Sequence, residues 1–398
     1  MSTTYTFPKN FIWGTATSAY QTEGNNINTD WWQWEQKIRP ADTMPAESSG
    51  IACDSYNRYE EDFDLCVKCN NNAVRISIEW ARIEPRPGEF DQNEINHYKK
   101  VLIAAKGRGL KTFVTLHHFS NPIWFSDMGA WKNLESPSIF ARYVNKCVEE
   151  FHELIDAYIP INEPQVIALM SYTLGAWPPH IASYAQSLLV QINLARAHSR
   201  AYRVIKKHGN YKVGLCQNIA WFYPAENSTN PIDNTSATVL NFMNKDLFML
   251  PLQKYIDFIG LNFYFTSRIK EGKRENLDDV QSDMGWWIYP RGLEQVLISL
   301  KRFKKPIYIT ENGVADAMDK IRKAFIRDML IATNNAMQQG VDVKGYFYWS
   351  LIDNYEWQKG FWPRFGLVEI DRENNLQRKP RPSFYYYSEI CRNGKIEA

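Results

Sequence analysis

The chain has 398 residues, of which 44% are hydrophobic and 14% aromatic, so it contains enough apolar material for a large core. Its 46 basic and 44 acidic residues leave a formal net charge of +2, which gives no electrostatic reason to expect nucleic acid as a partner. No apolar run approaches the length of a membrane-spanning helix, so we expect no association with a membrane.

The N-terminal stretch MSTTYTFPKNFIWG lacks the basic start and continuous apolar segment of a secretion signal. Six cysteines are scattered along the chain without a disulfide framework, and Cys66 and Cys69 form a lone CxxC within a predicted helix. A metal or redox site of this kind normally needs a second pair of ligands. We therefore expect reduced thiols and a cytoplasmic protein.

Eight short runs rich in apolar, β-branched and aromatic residues recur along the chain, and polar segments of helical length separate them. The predicted strands are FIWGTATSAYQ (11–21), AVRISIEW (73–80), KTFVTLHHF (111–119), DAYIPINEP (156–164), YKVGLCQNIAWF (211–222), DFIGLNFYF (257–265), PIYITENG (306–313) and VKGYFYWSLIDN (343–354). The predicted helices include residues 91–108, 182–208 and 319–340.

This alternation predicts a single α/β domain over residues 1–398, a (β/α)₈ TIM barrel. Near-continuous apolar strands suit a parallel sheet that is covered on both faces, and no linker or repeat marks a domain boundary. An open, doubly wound sheet is the alternative. Polar or aromatic residues end most of the runs, and in such barrels the carboxyl ends of the strands form the active-site face.

Two of the predicted strands end alike, because YIPINEP (158–164) and PIYITENG (306–313) each carry a glutamate beside an asparagine after an apolar run. Glu163 and Glu311 would then project into one hollow from the fourth and seventh strands. Cleavage of a glycosidic bond requires such a pair, since one acid protonates the leaving group while a carboxylate stabilises the oxocarbenium-like centre. Each glutamate alone also suits a structural ion pair, but the matched pair favours catalysis.

The chain resembles glycoside hydrolase family 1, the β-glucosidase and β-glycosidase family, over nearly its whole length. The stretches that carry the resemblance follow one another in order: FIWGTATSAYQTEG, VRISIEWARIEP, TLHHF, INEP, DFIGLNFY, YITENG, WSLIDNYEW and PRFGLVEID. INEP alone is a weak signal, because NEP occurs in other barrel hydrolases. The occurrence of all eight stretches in this order is specific to the family.

The resemblance implies that Glu311 is the nucleophile, which forms a covalent glycosyl-enzyme. Glu163 would donate a proton to the leaving group and later remove one from the attacking water. We expect the negative charge of Glu311 to raise the pKa of Glu163 by like-charge repulsion. Arg75 would hold Glu311 ionised, and Tyr264 would hydrogen-bond it.

The resemblance also implies a sugar-binding set: Gln21, His118, Asn162, Asn262, Trp349, Glu356 and Trp357. Asn162 would contact the sugar 2-hydroxyl, and Trp349 would stack beneath the apolar face of the sugar. Only one residue of the pair His117–His118 should point inward, because neighbours on a strand face opposite sides. No metal or organic cofactor is implied, and the sequence has no ligand-spaced Cys/His cluster or glycine-rich nucleotide loop.

A carboxylate at Glu356 would accept hydrogen bonds from sugar hydroxyls but would repel a 6-phosphate. The predicted activity is retaining, exo-acting hydrolysis of small-molecule or oligosaccharide substrates with a terminal, unphosphorylated β-D-glucoside, with β-galactosides and β-fucosides as lesser substrates. Transglycosylation through the same intermediate and a catalytically inactive, sugar-binding relative are the alternatives. The chain is short for the family at NKDLFMLPLQKYIDFIG, between the fifth and sixth strands, which predicts a more open crater on the leaving-group side.

Overall fold

The computed structural model describes residues 3–37, 47–226, 228–277 and 280–397. Eight parallel strands close into a barrel in which every strand pairs with its neighbours in the chain and the last pairs with the first. They are β1 (Ile12–Ala16), β2 (Ala73–Ser77), β3 (Lys111–Thr115), β4 (Ala157–Ile159), β5 (Lys212–Asn218), β6 (Phe258–Asn262), β7 (Ile307–Asn312) and β8 (Val343–Trp349). The predicted (β/α)₈ barrel is confirmed.

A helix of at least 11 residues follows each barrel strand. These helices are α1 (Ser55–Lys68), α2 (Gln92–Gly107), α3 (Ser136–Phe151), α4 (Tyr184–His208), α5 (Pro231–Asn241), α6 (Pro290–Leu300), α7 (Arg322–Gln338) and α8 (Pro382–Asn393). The helix predicted over 319–340 begins later, at Arg322, because the Asp316 carboxylate accepts hydrogen bonds from the N–H groups of Ile321 and Arg322 at 2.8 and 3.0 Å.

Shorter elements fill the loops. The short α-helices are Ala19–Thr22, Asp30–Glu35, Trp80–Ile83, Ile123–Asp127, Pro164–Ile167 and Leu247–Leu252, the π-helical turns are Ala168–Thr173 and Phe242–Asp246, and the 3₁₀ turns are Ala130–Lys132, Gln253–Tyr255, Lys301–Phe303 and Trp357–Lys359. Two antiparallel pairs join Thr4–Thr6 to Lys395–Glu397 and Val368–Asp371 to Gln377–Pro380. A three-stranded sheet, hereafter the small sheet, comprises Trp221–Pro224, Thr266–Lys270 and Lys273–Arg274.

Aromatic rings fill the interior of the barrel. The ring of Phe113 lies 4.9 Å from that of Phe347 and 5.2 Å from that of Tyr308, and Phe258 lies 5.2 Å from Tyr308. A glycine makes room for one of them, because a Cβ atom at Gly214 would lie only 2.1 Å from the Phe258 ring. These rings fill the interior as a packed core rather than a pore, as is usual for this type of barrel.

The helices of the described residues include none that is long and apolar enough to span a lipid bilayer. All six cysteines are buried free thiols, and Cys66 and Cys69 lie in the layer between α1 and the barrel.

Candidate active site

A cavity of about 390 Å³ holds both glutamates, Glu163 from the loop after β4 and Glu311 from β7. A larger groove of about 530 Å³ lies on the surface between α4 and the segment 247–255, but no carboxylate lines it. The chemistry of the lining residues therefore selects the smaller cavity as the candidate active site.

The backbone of Glu163 adopts a strained conformation. Its φ angle of 43° lies in the left-handed region, which is unfavourable for a residue with a side chain. Pro164 begins a short helix directly after it, and the Glu163 N–H donates to the Cys216 carbonyl at 3.0 Å. Phe119 and Trp357, which also line the cavity, have positive φ angles as well. Such strain persists where the surroundings enforce it and is frequent at active sites.

Glu311 lies at an irregularity of the sheet. Ile309 pairs with Leu261 and Glu311 with Asn262, so β7 has one extra residue, Thr310, relative to β6. A bulge of this kind changes the direction of the side chains that follow it. The irregularity accounts for a charged side chain that reaches the cavity from an otherwise apolar strand.

Two donors hold the Glu311 carboxylate. Arg75 on β2 forms an ion pair with one oxygen, and the Tyr264 hydroxyl donates to the other at 2.6 Å. Arg75 is 1% exposed and Glu311 3%, so their attraction is little screened by water. Burial, followed by the charge of Glu311, raises the pKa of Tyr264 well above its usual value, and the hydroxyl keeps its proton as a donor. The arrangement stabilises Glu311 in its charged form.

Asn162 and Asn262 connect the two glutamates. Arg75 donates to the side-chain oxygen of Asn162 at 2.7 Å, which fixes the orientation of that amide because arginine can only donate. Asn262 donates to Glu163 at 2.7 Å and to the oxygen of Asn162 at 3.2 Å. Neither asparagine lines the cavity, so Asn262 contacts the acid instead of the space for a sugar. The contact of Asn162 with a sugar hydroxyl stays a prediction.

The pKa of Glu163 is raised above its ordinary value. Burial is the largest cause and the charge of Glu311 the second, while the Asn262 hydrogen bond and the Arg75 charge oppose them. The predicted repulsion by Glu311 does raise the pKa of Glu163, but removal of Glu163 from water has the larger effect. A protonated carboxyl beside a charged one is the state that a general acid requires.

Five residues expected to bind the sugar lie together on one wall of the cavity. This polar wall comprises Gln21, His118, Trp349, Glu356 and Trp357. Gln21 donates to the Tyr355 carbonyl at 2.9 Å and to Glu356 at 3.3 Å, and it accepts a hydrogen bond from the Ser18 hydroxyl at 2.7 Å. Burial, with a contribution from the charge of Glu311, raises the pKa of Glu356 to about 7.

The two adjacent histidines after β3 face opposite directions. The His118 ring lies nearly parallel to the rings of Trp349 and Trp357, with centroids 6.0 and 6.2 Å away. His117 faces away from the cavity, where it meets the edge of Trp131 at 5.2 Å. Burial, followed by the Arg75 charge, lowers the pKa of His118 well below its usual value, so the ring in the cavity is neutral.

A second wall carries residues that the sequence analysis did not identify. This apolar wall comprises Val166, Leu169, Met170, Phe222, Phe265, Met284 and Trp286. Trp286 meets the Tyr264 ring edge-on at 5.6 Å and lies 5.9 Å from Phe265. No motif marks these positions, and the aromatic stretch MGWWIY (284–289) is the one signal that could have drawn attention to them.

The flank that was predicted to be open is lined by protein. Phe222 from the small sheet and Asn244 from the π-helical turn after α5 both reach the cavity there. These two segments line the flank, and its greater openness stays a prediction.

The part of the chain that the structure describes contains no group of three or more His, Cys, Asp or Glu side chains arranged to hold a metal ion. Two of the carboxyl groups in the cavity, Glu163 and Glu311, lie beside Arg75 and Tyr264 and can supply acid–base and nucleophilic chemistry.

Comparison with known proteins identifies the family. The model of glycosyl hydrolase family 1 matches residues 3–249 and 232–396, so the two matched segments cover nearly the whole chain. The chain belongs to glycosyl hydrolase family 1. It is a β-glucosidase-like enzyme, and retention of configuration is the mechanism of the family. The two segments overlap at 232–249, in and after α5, close to where the sequence analysis found the chain short for the family.

Individual family 1 proteins resemble the chain from end to end. Beta-glucosidase A of Acetivibrio thermocellus is 30% identical over 444 aligned positions, which cover 98% of each chain. The solved structure of a β-glycosidase from Pyrococcus horikoshii is 35% identical and superposes with a TM-score of 0.92. The match covers 100% of this chain and 97% of that one. A β-glucosidase from Thermotoga maritima in complex with glucoimidazole has a TM-score of 0.91 and 28% identity over 98% of this chain and 99% of its own.

Proposed function

We propose that the protein is an exo-acting β-glucosidase that hydrolyses terminal, unphosphorylated β-D-glucosides by double displacement. The observation that carries the proposal is the pair Glu163 and Glu311 in one cavity, the first kept protonated by burial and the second held as a carboxylate by Arg75 and Tyr264. Retaining glycosidases use such a pair as acid and nucleophile.

In the first step, a Glu311 oxygen attacks the anomeric carbon while Glu163 transfers its proton to the glycosidic oxygen, and the bond to the leaving group breaks. Attack consumes the negative charge of Glu311. Arg75 and Tyr264 thus contact a carboxylate that loses its negative charge in this step and regains it in the next.

In the second step, Glu163 removes a proton from a water molecule, which attacks the anomeric carbon and releases Glu311. Esterification of Glu311 removes one of the two causes that raise the pKa of Glu163, and burial remains. Glu163 thus becomes a better base in the intermediate than in the free enzyme.

The polar wall supports recognition of one terminal, neutral sugar. Gln21 and Glu356 are already joined to each other and to the backbone, so their polar atoms are held in place before a ligand arrives. Glu356 in its charged form would repel a 6-phosphate, and in its protonated form it lacks the positive charge that a phosphate needs. The same wall admits β-galactosides and β-fucosides as lesser substrates, since these share most of the ring hydroxyls.

Trapping of the intermediate tests the proposal. Incubation with 2-deoxy-2-fluoro-β-D-glucosyl fluoride should add one fluoroglucosyl group to the protein, and peptide mass spectrometry should locate it on Glu311. Glu311→Gln should not react. Glu163→Gln should still react, because fluoride leaves without a proton.

Attachment of the label to any other residue would refute the assignment of Glu311. Turnover of 4-nitrophenyl 6-phospho-β-D-glucoside at a rate comparable to that of 4-nitrophenyl β-D-glucoside would refute the substrate class.

A further inference from the structure

Arg274 places a positive charge at the apolar wall. Its side chain is exposed and lines the cavity, and its guanidinium carbon lies 5.1 Å from the centre of the Phe222 ring. Within the described ranges, no aspartate or glutamate forms an ion pair with it. Arg268, on the neighbouring strand of the small sheet, pairs with both Glu226 and Glu275. The positive charge of Arg274 is therefore available to a ligand.

The acids of the cavity do not cancel this charge. Glu163 keeps its proton because of burial and the nearby charge of Glu311, and Glu311 is itself paired with Arg75. Glu356 belongs to the polar wall, where Gln21 donates to it. An anion bound at the apolar wall would consequently be attracted by Arg274 and would not contact an unpaired carboxylate there.

The apolar wall is the side on which the leaving group departs. Glu163 must reach the glycosidic oxygen with its proton, so the leaving group lies next to Glu163. Val166 and Leu169 lie in the short helical segment that directly follows Glu163, and both line the cavity. A leaving group therefore contacts apolar side chains near the scissile bond, and the guanidinium of Arg274 stands at the same wall.

We propose that this site takes leaving groups with an apolar aryl body and a carboxylate, and that Arg274 binds the carboxylate. The inference rests on the proposed β-glucosidase activity and names its substrate class. A planar guanidinium offers paired N–H donors that match the two oxygens of a carboxylate. Contact with the Phe222 ring covers one face of the group and leaves its edge free to donate.

Matched substrates measure the contribution of Arg274. The substrates are 4-carboxyphenyl β-D-glucoside and the longer 4-(2-carboxyethyl)phenyl β-D-glucoside, each compared with its neutral amide. For the wild type, kcat/KM for at least one acid should exceed that for its amide, through a lower KM. Arg274→Gln should reduce this ratio about fivefold, the size expected of one partly exposed charge pair. Added salt should reduce the ratio for the wild type only.

The adjacent Lys273 supplies the control, since it is equally exposed but does not line the cavity. Lys273→Gln should leave the ratio as in the wild type. An unchanged ratio in Arg274→Gln for both lengths, or an equal fall in Lys273→Gln, would overturn the binding role while the amides are still hydrolysed. Failure of the wild type to hydrolyse either amide would instead overturn the proposed function, and this inference with it.

Discussion

The two walls of the cavity are built on different principles. Hydrogen bonds from Ser18 to Gln21 and from Gln21 to Glu356 fix the polar wall before a sugar arrives. The apolar wall consists of aliphatic, thioether and aromatic side chains, and Leu169 on it is 46% exposed. A directional wall selects one arrangement of hydroxyls, whereas a wall of apolar contacts tolerates different shapes. Under the proposed function, the two walls would therefore select the sugar strictly and tolerate different leaving groups.

Glu311 forms the bond to the sugar whichever leaving group departs. Its loss should therefore reduce kcat more than any other substitution, and by a similar factor for every leaving group. We expect Glu311→Gln to reduce kcat at least about 10⁴-fold for methyl, 4-nitrophenyl and 2,4-dinitrophenyl β-D-glucosides alike. Steady-state kinetics on the three substrates would measure this. The exposed Glu373 provides a matched control, and Glu373→Gln should behave as the wild type. A loss below tenfold on any of the three substrates would contradict the role.

Loss of Glu163 should depend on the leaving group, because its proton is needed only where the departing oxygen is basic. Glu163→Gln should reduce kcat/KM about 10³-fold for methyl β-D-glucoside and less than about tenfold for 2,4-dinitrophenyl β-D-glucoside. A plot of log kcat/KM against leaving-group pKa gives the slope directly. A slope equal to that of the wild type would refute the acid role.

The hydrogen bond from Tyr264 to Glu311 should contribute less than either glutamate. Hydrogen bonds to charged groups contribute about 1.5–3 kcal/mol, so Tyr264→Phe should reduce kcat/KM roughly 10- to 100-fold. Tyr143 is a matched control, since its buried hydroxyl donates to the Leu116 carbonyl outside the cavity. Equal losses of activity in Tyr143→Phe and Tyr264→Phe would show that the effect is structural.

The difference between the walls also explains which parts of the site the sequence could predict. Strand ends carry a strong signal, because a polar residue such as Glu311 interrupts an apolar run whose partners are set by the barrel. The alternation of side chains along a strand was enough to predict that only one of His117 and His118 points inward. The apolar wall has no such signal, since Phe222 and Arg274 lie in the small sheet, whose position depends on contacts between distant segments.

The cause of the raised pKa of Glu163 was harder to predict than the position of its side chain. The sequence places Glu163 and Glu311 on two strands of one barrel and so suggests their repulsion. The degree to which Glu163 is removed from water depends on the packing of loops around the cavity. That packing makes burial the larger cause of its raised pKa.

Glu356 should make the polar wall a source of pH-dependent instability. Its pKa rises from an ordinary value of 4.5 to about 7 on folding, so the folded chain binds more protons than the unfolded chain in that interval. The free energy of unfolding therefore falls as the pH rises through this window. Glu356→Gln removes the loss, and its melting temperature relative to the wild type should rise by a few degrees between pH 5 and pH 8, at about 1 °C per kcal/mol for a chain of this length.

Calorimetry at several pH values would measure this difference. Glu373→Gln again serves as the control, because its exposed side chain should give a difference that does not vary with pH. Parallel curves for Glu356→Gln and the wild type would show that folding does not perturb the ionisation of Glu356.

The smallest effect should come from the apolar wall, where Leu169 is only half-buried. Leu169→Ala removes apolar surface that an extended leaving group would cover, and about 0.8 kcal/mol per buried methylene group corresponds to roughly a three- to fourfold change in KM. KM for octyl β-D-glucoside should rise by that factor, while KM for methyl β-D-glucoside stays constant. Leu188 on α4 is 55% exposed and lies outside the cavity, so Leu188→Ala should change neither value. An equal rise in KM for both substrates in Leu169→Ala would mean that Leu169 contacts the sugar. The assignment of the apolar wall to the leaving group and of the polar wall to the sugar would then be wrong.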